Sequence, residues 1–183
     1  MVSTLMDPYL PGILDFEGFF VRKENLSCKM AGHSAAGVLL HCRPRVVSLA
    51  SRNGTYGSYR LDPRDAQGER AAMVALAGTA ALLIEETKFE CNYEYTIERF
   101  LKSALASDLG LAYECLPEGA RTHYKVILTG LFLRVHDLLL TSWPLVTAIS
   151  NRLFDTHDTD VVDGPTLGRI YRAYLASQAA VPQ

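Results

Sequence analysis

The sequence lacks the short motifs that would assign a function directly. It contains four cysteines among 183 residues, but none of them forms a C-x-x-C pair, which argues against a zinc knuckle or a redox motif. It has no GxxxxGK[ST] loop, so we expect no P-loop nucleotide site. The formal net charge is −2, and this balance argues against nucleic acid as the main partner.

The chain also lacks a long hydrophobic run. The longest run, from Ala71 to Ile84, is shorter than the ~20 residues that a bilayer-spanning helix needs, so it predicts a buried helix instead. The N-terminus has no basic opening and carries Asp7, Pro8 and Pro11, which is unlike a signal peptide. We therefore expect a cytoplasmic protein with reduced cysteines and no membrane span.

What the sequence does contain is a large apolar fraction. Hydrophobic residues make up 49% of the chain, which is enough to build the core of one domain spanning 1–183. Within that domain we expect an N-terminal arm at 1–26, a core at 27–110 and a helical C-terminal part at 111–183.

The residue pattern predicts a mainly helical, α+β fold with one small β-hairpin after the first core helix. Ser27 is a candidate N-cap for a helix that runs to Cys42. Two β-prone runs, Val46 to Ala50 and Thr55 to Leu61, flank Asn53-Gly54, a dipeptide typical of tight hairpin turns. Further helices are predicted from Asp62-Pro63 to Glu86, up to a C-cap at Gly110, from Pro117 to Leu140, from Trp143 to Phe154 and from Pro165 onward.

Three further predictions concern the C-terminal part. Val126 and Leu175 are expected to face the core, because each lies at helical spacing from other apolar residues. His123, His136 and Asp137 are expected on the solvated edge of their helix. The segment from Asp155 to Pro165 is expected to be an acidic loop, since it lacks the glycine and glutamate of a calcium-binding EF-hand.

The segment KMAGH, residues 29–33, has the spacing of a zinc-peptidase helix. In the HExxH motif two histidines four residues apart bind zinc, and the glutamate beside the first activates a metal-bound water. Here Lys29 stands at the first ligand position, Met30 at the glutamate and His33 at the second ligand. Only one of the three chemical groups is present, and a lone histidine among alanines is more often a core or surface residue than a ligand.

Three consecutive stretches nevertheless resemble the peptidase domain of FtsH-type AAA proteases and their stand-alone bacterial relatives. KMAGHSAAGVLLHCRPRVVSL resembles the region around HEAGHAVAAxLL and its following strand. ERAAMVALAGTAALLIEE resembles the second helix of that family, whose small residues pack against the metal-binding helix. ECNYEYTIERFLKSALASDLG resembles the helix that supplies the third zinc ligand. The positions concerned are Ala77, Gly78, Ala80 and Ala81 for the small residues, and Tyr93 or Glu94 for the ligand.

This resemblance, over Ser27 to Gly110, implies a helical zinc-peptidase-like domain whose active site is degenerate. Without the first histidine and the glutamate we expect no catalytic residues, because losing a general base alone costs ~10²- to 10⁴-fold in rate. We expect no cofactor, and His33 and Glu94 would be the candidate ligands if zinc did bind.

The function that follows is a pseudopeptidase that binds peptide or protein. One means of binding is the edge of the hairpin from Val46 to Leu61, if that edge is open; the alternative is that the N-terminal arm covers it. Two alternatives stay open. One is a metal-dependent peptidase with rearranged ligands such as His33, Glu94 and a cysteine. The other is a structural helical protein that forms homo-oligomers through its apolar helices.

Lys29 has two possible environments. Its ammonium could replace the charge of the metal, beside His33 and paired with Glu94. Alternatively, its side chain extends into solvent, which we favour because lysine is rarely buried.

Overall fold

A computed structural model describes residues 23–49, 57–87, 106–155 and 161–180. In these ranges the helices are α1 (Lys23–Leu39), α2 (Gly68–Thr87), α3 (Ala106–Cys115), α4 (Tyr124–Thr141), α5 (Trp143–Phe154) and α6 (Gly164–Ala179). The strands are β1 (Pro44–Ser48), β2 (Ser58–Leu61) and β3 (Val161–Asp163), and two 3₁₀ turns span Pro63–Asp65 and Glu118–His123. The expected mainly helical fold with a small β element is confirmed.

Helix α2 is the centre of the core. Every residue from Ala71 to Ile84 is buried, and the helix contacts α1, α3 and α4. A helix that is apolar on all sides is stable in water only when other elements surround it. The prediction that this apolar run forms a buried helix is confirmed.

Small residues allow α1 and α2 to approach closely. A Cβ added at Gly32 of α1 would lie 2.5 Å from the Cβ of Ala81 and 2.6 Å from the carbonyl oxygen of Ala77 on α2. No side chain fits into that gap without moving a helix backbone. The expectation that small residues of the second helix pack against the first is therefore confirmed, and the backbones of the two helices are held at short range.

Within the described ranges the sheet has three antiparallel strands in the order β2-β1-β3, one more than the predicted hairpin. β1 pairs with β2, as expected, whereas Asn53-Gly54 lies outside the described residues. The acidic loop prediction is wrong for Val161–Asp163, because Val162 is buried opposite Val47. Asp163 then caps α6, its carboxylate accepting from the Thr166 N–H at 2.9 Å.

Several predicted helix ends are displaced. α1 begins at Lys23 and ends at Leu39, where the sequence predicted Ser27 and Cys42. The chain leaves the helix through His41, which adopts a positive φ of 57°. Gly110 does not end α3, which continues to Cys115 because Ala112 beyond it is fully buried. An exposed glycine inside a helix is tolerated when the residues after it contribute to the core.

Helix α4 also corrects two predictions. Its buried stripe is Leu128, Leu131, Phe132, Val135, His136 and Leu139. His136 belongs to this stripe and is 2% exposed, so its placement on a solvated edge was wrong, although His123 and Asp137 are exposed as expected. Val126 is 78% exposed because it lies outside the stripe, and Leu175 on α6 is 47% exposed.

In the described ranges, no single helix has both the length and the apolarity needed to cross a membrane. The segments Glu118–Thr141 and Trp143–Phe154 meet the length and composition requirement only as a pair, bent by 82° at their junction.

Candidate functional site

Five polar residues from four elements meet at the interface between α1, α2, α3 and the sheet. We call them the buried polar cluster: Lys29 and His33 of α1, Tyr59 of β2, Thr79 of α2 and Asp108 of α3. Lys29 and His33 are one turn apart on the same helical face, so the spacing that suggested a metal site brings both to the same place. The HExxH-like segment is therefore the centre of this cluster.

The imidazole of His33 is held on several sides. Its Nδ1 lies 2.7 Å from the carbonyl oxygen of Val74. Because a carbonyl can only accept, Nδ1 carries the proton and donates it. The ring stacks on Tyr59 with centroids 4.3 Å apart and planes inclined by 17°. Its other nitrogen, Nε2, faces the Oδ2 of Asp108 at 3.7 Å.

Burial sets the charge of His33. The residue is 1% exposed, and desolvation lowers its pKa, an effect that Asp108 opposes and Lys29 reinforces. The imidazole is consequently neutral at physiological pH, with a lone pair on Nε2. Burial likewise raises the pKa of the Tyr59 phenol, so that side chain stays protonated.

Asp108 joins three helices through its carboxylate. Its Oδ1 lies 3.0 Å from the Lys29 ammonium, and its Oδ2 accepts from the Thr79 hydroxyl at 3.0 Å. A buried carboxylate needs such partners because an isolated charge in the core is strongly disfavoured. The preferred prediction that Lys29 extends into solvent is wrong, since its side chain is only 13% exposed and Asp108 supplies the opposite charge.

Two glycines make room for side chains of the HExxH-like segment, Gly78 for His33 and Gly57 for Met30. A Cβ added at Gly78 would lie 2.6 Å from Cε1 and 2.7 Å from Cδ2 of His33, well inside van der Waals contact. The position of the glutamate in HExxH is taken by Met30, which is buried and lies beside Gly57. Gly57 has a φ of 73°, a backbone conformation that favours glycine. Apolar packing thus occupies the place where a general base would be needed.

The donor set of this cluster does not fit zinc. His33 and Asp108 are the two groups of suitable type, and an ammonium lies against the carboxylate where a cation would bind. A protein zinc site uses three or four nitrogen, sulfur or oxygen ligands. No group of three histidine, cysteine, aspartate or glutamate side chains in the described part of the chain could hold a metal ion. Tyr93 and Glu94, the predicted third-ligand positions, lie outside the described residues.

The described cysteines are not activated nucleophiles. Cys28 and Cys42 are buried and Cys115 is half-buried, all as free thiols. The Cys28 thiol donates to the Ala81 carbonyl at 3.7 Å. It is one of the residues that line a cleft of about 290 Å³ between α1 and α5, which Glu85 of α2 also lines. Burial, reinforced by Glu85, raises its pKa to about 12, so the reactive thiolate is scarce near neutral pH.

The residue missed by the sequence reasoning is Asp108. The sequence carries one signal for it, a single carboxylate within the otherwise small and apolar stretch ALASDLGLA. A charge in such surroundings predicts a buried partner, because burying it alone is unfavourable. The sequence gives no means of choosing that partner, since Lys29 is 79 positions away and β1, β2 and α2 lie between the two residues in the chain.

Neither the family models nor the curated proteins contain a significant match to this chain.

Proposed function

We propose that this chain is a cytoplasmic pseudopeptidase, a peptidase-like domain that binds an extended peptide without hydrolysing it. The observation that carries the proposal is the ion pair between Lys29 and Asp108, 3.0 Å long and largely buried. It places a fixed positive charge where the HExxH pattern would bring a metal. The lysine cannot ligate a metal while it is protonated, so the metal-activated water of a zinc peptidase has no counterpart.

The remaining groups favour structure over chemistry. Nδ1 of His33 is engaged by Val74 and the ring is enclosed by Tyr59 and Gly78. Its pKa is lowered by burial, which would suit a general base, but a base must reach the substrate. With 1% of the residue exposed, no substrate atom reaches the imidazole. The cluster therefore serves to lock α1, α2 and α3 together.

Strand β2 supports the binding half of the proposal. Among the strands of the described residues it lies at one edge of the sheet, and the N–H of Asp62 just after it donates to the Arg43 carbonyl at 2.9 Å. Because backbone groups alternate in direction along a strand, those of Tyr59 and Leu61 are directed away from β1. An extended peptide can pair with such an edge and extend the sheet.

The first experiment tests the loss of metal chemistry. Protein purified without chelator is analysed by elemental mass spectrometry, titrated with zinc and assayed against a fluorogenic peptide library. We expect no bound zinc and no cleavage. Lys29→His is the matched variant, because it removes the ammonium and places a second imidazole one turn before His33, so it should take up zinc more readily than the natural chain. One tightly held zinc in the natural protein, with cleavage that a chelator abolishes, would favour the rearranged peptidase instead.

The second experiment tests peptide binding. Extended 12-residue peptides are titrated against the full chain by fluorescence anisotropy, and each binder is repeated with N-methyl groups on alternate residues. N-methylation on the hydrogen-bonding side blocks strand pairing while leaving the side chains in place, so it should abolish binding. If no peptide binds and the protein forms a stable oligomer in sedimentation analysis, the structural alternative replaces this proposal.

A further inference from the structure

An arginine-rich surface borders the β2 edge of the sheet. It consists of Arg43, Arg45, Arg60 and Arg64, around Asp62 and Asp65. Four guanidinium groups thus surround two carboxylates and leave two positive charges in excess, whereas the whole chain has a net charge of −2. We refer to this set as the arginine surface.

Ion pairs hold part of the arginine surface in a fixed arrangement. Arg43 donates to the Oδ2 of Asp65 from its Nε at 2.8 Å and from its backbone N–H at 3.1 Å. Arg45 donates to the Oδ2 of Asp62 at 2.9 Å. The Arg64 backbone N–H, and after it the Arg45 guanidinium, lower the pKa of Asp62 by donating to its carboxylate. The Arg43 side chain, and after it the Arg43 backbone N–H, lower the pKa of Asp65 in the same way. The two aspartates therefore stay ionised and orient the guanidinium groups beside the strand.

The other two arginines form only weak ion pairs, or none, with the described residues, so their positive charge can attract an external partner. Arg64 is 81% exposed at the side chain and reaches Asp62 only at 3.9 Å. Arg60 is exposed on β2 and lies opposite Val46 in the register of the sheet. Asp163 stands opposite Val46 on the other side, but its carboxylate is engaged at the N-terminus of α6 by Thr166.

Charge and backbone geometry coincide at this surface. Arg60 lies between Tyr59 and Leu61, the two residues whose backbone groups are directed outward. A peptide paired along β2 would therefore extend past Arg60 towards Arg64 and Arg43. Carboxylates on such a peptide would meet guanidinium groups, which bind them in planar, two-pronged geometry. Basic side chains at the same places would be repelled.

We propose that the partner of this chain is an acidic extended peptide, rich in aspartate or glutamate, which binds along β2 with its carboxylates on the arginine surface. This inference rests on the proposed peptide-binding function and specifies the chemistry of the ligand. Electrostatic complementarity of this kind governs the association rate and the choice of partner more than the affinity, and it weakens with salt.

The test compares three labelled probes on the full chain. They are a 12-residue peptide of alternating valine and glutamate, the same peptide with glutamine for glutamate, and a single-stranded oligonucleotide of equal charge. We expect the glutamate peptide to bind at least about 10-fold more tightly than the glutamine peptide at low salt, and the difference to shrink at 0.5 M salt, where the screening length falls to roughly 4 Å.

Substitutions locate the effect. Arg60→Gln and Arg64→Gln should each weaken binding of the glutamate peptide by about 2- to 5-fold, the range of exposed ion pairs. Arg172→Gln, on α6 and outside the arginine surface, removes the same charge and should change nothing. All three positions are exposed, so the variants are expected to fold, which circular dichroism verifies.

Each remaining result overturns the inference in a recognisable way. Equal binding of both peptides, unaffected by Arg60→Gln, would leave peptide binding standing and reject the acidic preference. Binding of neither peptide would reject both. An oligonucleotide that binds as tightly as the glutamate peptide would show a surface that accepts any polyanion, and equal weakening by Arg172→Gln would show an effect of overall charge only.

Discussion

Gly78→Ala tests the close packing that holds the imidazole of His33. The new Cβ would lie 2.6 Å from Cε1 and 2.7 Å from Cδ2 of that ring, whereas carbon atoms prefer about 3.5–4.0 Å. Relief requires a shift of roughly 1 Å. The ring cannot move that far without breaking its hydrogen bond to Val74 or its stacking on Tyr59. The two helices cannot separate cheaply, because Gly32 is packed on Ala77 and Ala81.

Two opposing effects determine how much Gly78→Ala changes the free energy of unfolding. Overpacking a rigid core costs typically ~1–3 kcal/mol, while replacing a helical glycine by alanine contributes about 0.5–1 kcal/mol of stability. We expect Gly78→Ala to lower the free energy of unfolding by about 1–2 kcal/mol. Gly130→Ala is the matched control, because it lies inside α4 with no atom within 4 Å of the added Cβ, and it should gain about 0.5–1 kcal/mol.

Urea unfolding of both variants measures the difference, and a double-mutant cycle assigns its cause. Removing the ring with His33→Ala leaves space for the new methyl group, so Gly78→Ala should be tolerated in that background. The two changes should then show a coupling energy of about 1 kcal/mol or more. If Gly78→Ala and Gly130→Ala stabilise the protein equally, or if the coupling is zero, the packing described for His33 is wrong.

Two further predictions concern buried ionisable groups. Lys29→Met should destabilise the protein by about 2–4 kcal/mol in urea unfolding, because it removes the cation that pairs with the buried Asp108 carboxylate. Adding Asp108→Asn should restore much of the lost stability. If the double variant is as unstable as Lys29→Met alone, the ion pair between Lys29 and Asp108 is wrong. Burial lowers the pKa of His33 and of His136 from the ordinary value of 6.5, so unfolded chains bind more protons than folded ones below that pH. The free energy of unfolding should therefore fall as the pH drops from 6.5 to 5, by up to about 1.4 kcal/mol per pH unit for each histidine. This window lies above the pH range in which carboxyl groups titrate. A free energy of unfolding that stays constant across it would contradict the burial of the two histidines as neutral rings.

Periodicity and small-residue patterns were enough to predict much of the helical core. The apolar run from Ala71 to Ile84 could only be a buried helix, and Trp143–Phe154 has the boundaries that Trp143 and Pro144 suggested. These features depend on the spacing of nearby apolar residues, which can be read from the sequence alone. The displaced ends of α1 and α3 depend instead on which flanking residues find a partner in the core.

The cluster was predictable only in part. One face of α1 carries both Lys29 and His33, and their spacing is visible in the sequence. The partner of Lys29 was not predictable, because Asp108 belongs to α3, 79 positions further along the chain, and nothing local selects it. Likewise, the local sequence of Val161–Asp163 predicts an acidic loop. The segment is a strand because it pairs with β1, which buries Val162. Such pairings are decided by tertiary contact and not by propensity.

In the order β2-β1-β3, the central strand β1 pairs with one strand that is near in sequence and one that is far away. β2 begins ten positions after the end of β1, but β3 is more than one hundred positions later, and Gly164 then packs against the carbonyl of Pro44. During synthesis at ~5–20 residues per second, β1 therefore has an open second edge until residues 161–163 leave the ribosome. For that interval the pair of described strands β1 and β2 has two edges without a partner from the described residues, and a chaperone or a neighbouring chain that recognises extended backbone can pair there.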